Sequence, residues 1–195
     1  MIEKLAACSD KNPTIAVLLT TGGGAAEIAE KIVEFTRTHY REVYFIIPEE
    51  AMSAGTIMCM AGDMIYMDCS SFLGPIDPQV PDKEGRQFIP ALGYLDKMNE
   101  FIAKSKEGTL SPIEYDRAIR EDIGRLRRYE QARGLSITLL KKWLVKYKFK
   151  DWKQHRTHKA GEPVTEEQKQ ARAEEIGNTL SGNKIWHSHG RRIGL

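Results

Sequence analysis

The chain is poor in cysteine, with Cys8, Cys59 and Cys69 its three in 195 residues and no C-x-x-C pair among them. An odd count without paired spacing argues against a disulfide framework and against a zinc ribbon. Reduced thiols fit a cytoplasmic location. Long apolar runs are also missing. Ile15 to Leu19 is among the longest, far below the roughly 20 residues that cross a bilayer, so no membrane segment is expected in this chain. No charged and then apolar signal opens it. Charge of one sign is scarce overall: 29 Lys and Arg oppose 27 Asp and Glu, a net +2, and nothing global demands nucleic acid. The usual phosphate loops are absent too. Gly22-Gly23-Gly24 is followed by no Gly-Lys-Ser/Thr and is not spaced as G-x-G-x-x-G. No internal repeat is visible.

What is there suits a globular domain. Hydrophobic residues make up 41% and charged residues 29%, enough to build a core at this length. The charge is uneven: residues 141–159 hold eight Lys or Arg and one acidic residue, Asp151. Such a run reads as a solvated face, with a docking surface for an acidic partner as the alternative.

The first half alternates strand and helix signals. Thr14 to Leu19 is a short apolar run ended by Thr20-Thr21-Gly22-Gly23-Gly24, which suits a buried strand and a turn. Ala25 to His39 places apolar residues at helical spacing. Glu42 to Ile47 is β-branched and aromatic, and Pro48 stops it. Ser53 to Ala61 reads as a buried helix, Met64 to Met67 as a third strand, and Phe72-Leu73-Gly74 as a short fourth. This order implies a mostly parallel sheet with right-handed crossovers. Such sheets gather functional groups at the carboxyl ends of their strands, where both the glycine turn and the segment before Ser53 fall.

The second half reads as helical. Ala91 to Ala103 and Ile113 to Arg133 are helix patterns, Gly134 is a break, and Leu135 to Tyr147 follows. Residues 148–163 look like an exposed linker. Thr165 is an N-cap candidate for a further helix. The expected division is a main domain over 1–147, with 148–195 a basic linker and helical extension of that same domain.

A serine nucleophile needs exposure in a cleft, a base and donors for an oxyanion. Ser53 is followed by the small residues Ala54-Gly55. A helix beginning there aims free N–H groups at the reacting oxygen. Ser53 acting only as an N-cap is the competing reading. The glycine turn is equally open, since it can cradle an anion or simply turn the chain. Met58, Met60, Met64 and Met67 read as core filling. Cys59 reads as buried on the Ser53 helix. His187-x-His189 has no carboxylate or cysteine cluster beside it, so no metal and no cofactor are expected.

Several segments together carry a resemblance. Thr20-Thr21-Gly22-Gly23-Gly24 after a strand resembles the glycine turn of the Clp protease proteolytic subunit and signal peptide peptidase A. Ala51-Met52-Ser53-Ala54-Gly55-Thr56 resembles their nucleophile segment, and Ala61 to Met67 the strand after it. Phe72-Leu73-Gly74-Pro75-Ile76-Asp77-Pro78-Gln79 and Trp186-His187-Ser188-His189-Gly190-Arg191 resemble the serine dehydrogenase proteinase family. The likeness covers residues 14–80 well and the helical half loosely.

That resemblance implies an α/β fold of the Clp/crotonase-like ββα type, a parallel sheet flanked by helices with a helical C-terminal half. It implies a serine endopeptidase, a hydrolase of peptide bonds, acting through a Ser53 acyl-enzyme. Gly22, Gly23 and Ala54 fall on the oxyanion donors, and Gly24 and Asp77 near the substrate. It implies a polypeptide substrate and a homo-oligomer. The place of the Clp peptidase histidine holds Pro75-Ile76-Asp77-Pro78 instead, and a lone carboxylate is too weak a base at neutral pH. A Ser-Lys system like that of signal peptide peptidase A then points to Lys106, with Lys104 second, each needing burial or cationic neighbours to lose its proton. Nothing in the sequence prevents a late histidine from folding back over the site. Two other readings stay open: a non-catalytic peptide-binding or scaffold member of the fold, and a crotonase-like acyl-CoA enzyme. The opening strand of the Clp-type fold has no counterpart here, Ile2 to Ala7 being at most the remnant of the helix that follows it. An uncovered sheet edge invites pairing with another chain.

Overall fold

The short β-branched runs of the first half do become a parallel sheet, and the helices between them become its crossovers. The computed structural model describes residues 13–81, 84–86, 88–157, 160–182, 186 and 188–194. Ile2 to Ala7, His158 and His187 lie outside the described residues. In chain order the first half runs β1 (Thr14–Leu18), α1 (Ala26–His39), β2 (Glu42–Ile47), β3 (Glu50–Ala51), α2 (Ala54–Met60), β4 (Met64–Met67) and β5 (Phe72–Leu73). Strands β1, β2 and β4 form one parallel sheet in the order β1-β2-β4, and β3 pairs with β5, also in parallel.

Alternation along β2 decides which face is covered. Val43, Phe45 and Ile47 are buried and share one core cluster with Ala29 and Val33 of α1 and Ile57 and Cys59 of α2. The register sets Leu18 beside Ile46 and Ile46 beside Tyr66, with Met64 beside Tyr44. Leu18, Ile46, Met64 and Tyr66 are all exposed, so among the described residues nothing covers the second face of the sheet, whereas parallel sheets are usually covered on both.

The helical half is α3 (Ala91–Lys106), α4 (Pro112–Ile119), α5 (Ile123–Trp143) and α6 (Glu166–Ser181), with a π-helical stretch at Leu144–Lys148. Two sequence expectations are corrected. The run 113–133 is split, because the Asp122 carboxylate accepts the N–H groups of Gly124 and Arg125 (2.8 and 3.2 Å) and starts α5 there. Gly134 breaks nothing: a helix tolerates an interior glycine at a cost of about 1 kcal/mol, and Leu139, Leu140 and Trp143 beyond it are buried in the main core. Thr165 caps α6 as expected, in a reciprocal capping box with Gln168.

Two features escaped the sequence reading. A small antiparallel hairpin, β6 (Gln79–Pro81) with β7 (Phe88–Pro90), stands beside the sheet. The polar C-terminal stretch also returns to the fold. Leu73 and Ile193 exchange both backbone hydrogen bonds at 2.9 Å, and the Arg192 guanidinium lies 4.4 Å over the Phe72 ring. Ile76 N–H donates to Leu180 O at the end of α6 (2.9 Å). The tail is thereby fixed beside the segment that follows β5.

Candidate active site

Backbone pairing brings the glycine turn and the Ser53 segment together. Thr21 N–H donates to Glu50 O and Met52 N–H to Thr21 O, each at 2.9 Å. The chain then turns sharply from β3 into α2, and Ser53 sits on that turn with φ 50° and ψ −116°. It is the one non-glycine with positive φ among the described residues. A backbone of this kind costs about 1–3 kcal/mol and persists only where its surroundings enforce it. Ser53 occupies the N-cap position, yet its hydroxyl makes no capping bond. The capping explanation for a serine here is thus removed: its oxygen is not spent on the helix. A strained strand-to-helix turn is also how a nucleophile is pushed out of its backbone's shadow.

The small residues around Ser53 have separate jobs. At Gly23 (φ 115°) a Cβ would lie 2.9 Å from Ser53 Cβ and 3.2 Å from Met52 O, so only glycine lets the turn press against the serine. At Gly55 a Cβ would lie 2.5 Å from Thr21 Cγ2, so its smallness serves the packing of the glycine-turn segment. Thr56, fully buried, fastens the next segment. Its oxygen lies 2.7 Å from Ala51 O and 2.8 Å from Gly74 O, and accepts Gly74 N–H at 3.1 Å.

That fastening places Asp77. Its carboxylate is 3% exposed and takes two side-chain hydrogen bonds, from His189 Nδ1 (2.8 Å) and from Gln79 Nε2 (2.8 Å). A neutral imidazole that donates Nδ1–H to a carboxylate keeps a lone pair on Nε2. Ser53 and His189 line one cleft of about 810 Å³, together with Gly22, Gly24 and Ala54. Ala54 N–H is among the opening donors of α2, which have no intrahelical acceptor. Gly23 N–H donates to Thr21 Oγ1 (3.1 Å), so it reaches a new acceptor only by sharing or exchanging that bond.

Three of the residues named from sequence stand elsewhere. Lys104 lies 2.6 Å from Glu114 and 3.2 Å from Glu100. Hydrogen bonds that it donates to Glu114 and then to Glu100 push its pKa up, the opposite of what a general base needs. Lys106 is exposed in the last turn of α3. Neither lysine lines the Ser53 cleft. Asp77 is buried behind His189 and does not line it either, which corrects its assignment to the substrate surface. The residue that the structure adds to the cleft is His189, one of the late histidines left free to fold back. A signal for it existed: Asp77 and His189 lie in the two segments that carry the same family resemblance. Cys59 is buried as expected, and burial pushes its thiol up to about 12, so it is no nucleophile at neutral pH.

Comparisons with known proteins give the family of the first half of the chain. A model of the ClpP-like SDH-type serine proteinase family matches residues 3–104. Two uncharacterized proteins of Methanocaldococcus jannaschii are similar, at 39% identity over 82 residues and 38% over 66. Those stretches are 42% and 34% of this chain but 29% and 23% of the relatives. A Na(+)/H(+) antiporter NhaA of Brucella melitensis is 29% identical over 132 residues, 65% of this chain and 17% of that protein. The chain therefore spans less than a third of the curated relatives it matches. Among the described residues no helix is long and apolar enough to cross a membrane. No solved structure matches the chain.

Proposed function

The chain belongs to the ClpP-like SDH-type serine proteinase family, and on that premise we propose that it is a serine endopeptidase in which Ser53, His189 and Asp77 act as a triad. The observation that carries the reading is the strained Ser53, its hydroxyl uncommitted, in one cleft with a histidine oriented by a buried aspartate. The base in this reading is His189; the lysines, ion-paired or exposed outside the cleft, have no part in it.

The chemistry follows from the donors and acceptors present. Ser53 Oγ attacks the scissile carbonyl carbon while His189 Nε2 takes the hydroxyl proton. Asp77 holds the ring in the required tautomer and stabilises the imidazolium. The tetrahedral oxyanion is met by Ala54 N–H and by an N–H of the glycine turn, from Gly22 or from Gly23 once released by Thr21. The imidazolium gives its proton to the departing amine, leaving the acyl group on Ser53. Water then attacks the ester, His189 takes its proton and returns it to Ser53 Oγ, and a carboxylic acid leaves. No metal or cofactor enters any step. Self-association fits the same reading, because the open sheet face of Leu18, Ile46, Met64 and Tyr66 is an apolar row that a second surface would cover.

The test is labelling of the purified chain by a fluorophosphonate, with the adduct mapped by mass spectrometry. Labelling on Ser53 that is lost in Ser53→Ala, and slowed in His189→Gln but not in Lys104→Ala or Lys106→Ala, is expected. A folded wild-type protein that takes no label would overturn the proposal in favour of a binding or scaffold role.

A further inference from the structure

The Ser53 cleft carries little fixed charge among the described residues that line it. Its floor and walls are Ala26, Ala54, Ile57, Ile76, Ala132 and Leu135, with the glycine turn along one side. Among the described residues lining it, Glu27 carries the one carboxylate, and no lysine or arginine lines it. Glu27 stands in the first turn of α1, directly after the glycine turn. It has no hydrogen-bond or ion-pair partner among the described residues. Its neighbours on the same helix differ: Glu30 and Glu34 both face Lys142, at 3.7 and 3.5 Å. An exposed carboxylate left unpaired at the mouth of an apolar cleft is the arrangement that selects a long side chain with an aliphatic stem and a cationic head.

We infer that Glu27 is a specificity residue, and that the substrate is a polypeptide bearing lysine or arginine near the scissile bond. The methylene stem lies along the apolar lining and the charged head reaches Glu27. This rests on the reading of Ser53 as the nucleophile. A competing role for Glu27 is purely local. The N-cap of α1 is Ala25, which offers no capping side chain, and an acid in a first turn complements the helix's N-terminal partial charge. The two roles separate by substrate, since loss of helix support weakens cleavage of every peptide alike.

The experiment uses fluorogenic peptide pairs differing by one residue, arginine against glutamine, placed in turn at each position flanking the scissile bond. Wild type, Glu27→Gln and Glu27→Lys are compared by kcat/KM, with Ser53→Ala as the blank and fluorophosphonate labelling run on each. Expected is a preference for arginine at one position of about fivefold, the scale of a part-exposed ion pair, shrinking in 0.5 M salt. Glu27→Gln abolishes that preference while the glutamine peptide is cleaved as before, and Glu27→Lys reverses it in favour of a glutamate peptide. Equal losses on both peptides, or labelling and cleavage with no charge preference in wild type, overturn the assignment of Glu27 and leave the nucleophile standing. Absence of both labelling and cleavage removes the nucleophile reading and this inference with it.

Discussion

Asp77→Asn tests the triad where the structure makes its sharpest statement. The substitution keeps shape and volume, so the 3% exposed site stays filled. What changes is one acceptor oxygen, which becomes an NH2 donor. Gln79 Nε2 donates to one oxygen of Asp77 and His189 Nδ1 to the other. An asparagine has to choose: where its oxygen stays with Gln79 Nε2, its NH2 faces His189. Nδ1 then has to accept, so the ring proton moves to Nε2 and the lone pair that should take the Ser53 proton is gone. A wrong tautomer of this kind costs about 10⁴-fold in turnover in a known triad, equivalent to roughly 5 kcal/mol of barrier. Fluorophosphonate labelling rates and peptide turnover measure it, with urea unfolding to show that the fold holds. Stability is expected to change little and both rates to collapse. The double variant Asp77→Asn/Gln79→Leu frees the amide to turn its oxygen toward His189, so part of the labelling rate should return. An Asp77→Asn protein that labels at the wild-type rate refutes the reasoning, because His189 would then not be acting through that carboxylate.

Further outcomes follow from other contacts. Gly23→Ala puts a methyl 2.9 Å from Ser53 Cβ on a backbone of φ 115°; labelling should fall about a hundredfold, the scale of a lost oxyanion donor, with a smaller drop in thermal stability. Thr56→Val leaves Gly74 N–H without its acceptor and removes the one hydroxyl proton that Ala51 O and Gly74 O share; about 1–3 kcal/mol of stability should be lost, read from the urea midpoint. Burial lowers Lys148 from 10.5 to about 8. Between pH 8 and 10.5 the unfolded chain therefore binds more protons and stability rises with pH, by up to about 3 kcal/mol. Cys59, raised by burial from 9 to about 12, works the other way above pH 9, where the unfolded thiol ionises first. Wild type should thus gain stability from pH 8 to 9 and flatten beyond. Lys148→Met should abolish the gain and leave only the decline, and urea unfolding between pH 7 and 10 decides it. Sedimentation of Leu18→Glu beside wild type tests the open sheet face, with a shift toward smaller species expected.

The sheet was legible because its strands announce themselves locally. Thr14 to Leu18, Glu42 to Ile47 and Met64 to Met67 are short apolar runs closed by glycine, proline or polar turns, and a parallel sheet buried on at least one side asks little more of a sequence. The meeting of the glycine turn with Ser53 was legible for a related reason: in such a sheet the carboxyl ends of adjacent strands lie side by side. The proposed base was not legible by the same means. His189 is 112 positions from Asp77, and what brings it back is a few long-range contacts of the tail, the Leu73–Ile193 backbone pair and Arg192 over Phe72 among them, in a polar stretch without periodicity. Judging Asp77 by its own basicity also concealed its use, for a buried carboxylate that orients an imidazole never has to take the serine's proton. A search by sequence spacing favours a base near the nucleophile in the chain, which is why Lys104 and Lys106 came forward; their charges are instead settled by Glu100 and Glu114 and by solvent. Long-range pairing of a tail with the core is where local pattern stops and tertiary contact decides, and the candidate triad depends on that contact. Ile193→Pro, which deletes the N–H given to Leu73 O and the isoleucine side chain packed against the core, should therefore slow labelling of Ser53 without touching any of the three side chains. Unchanged labelling in that variant would mean that the tail is held by something other than this strand pair.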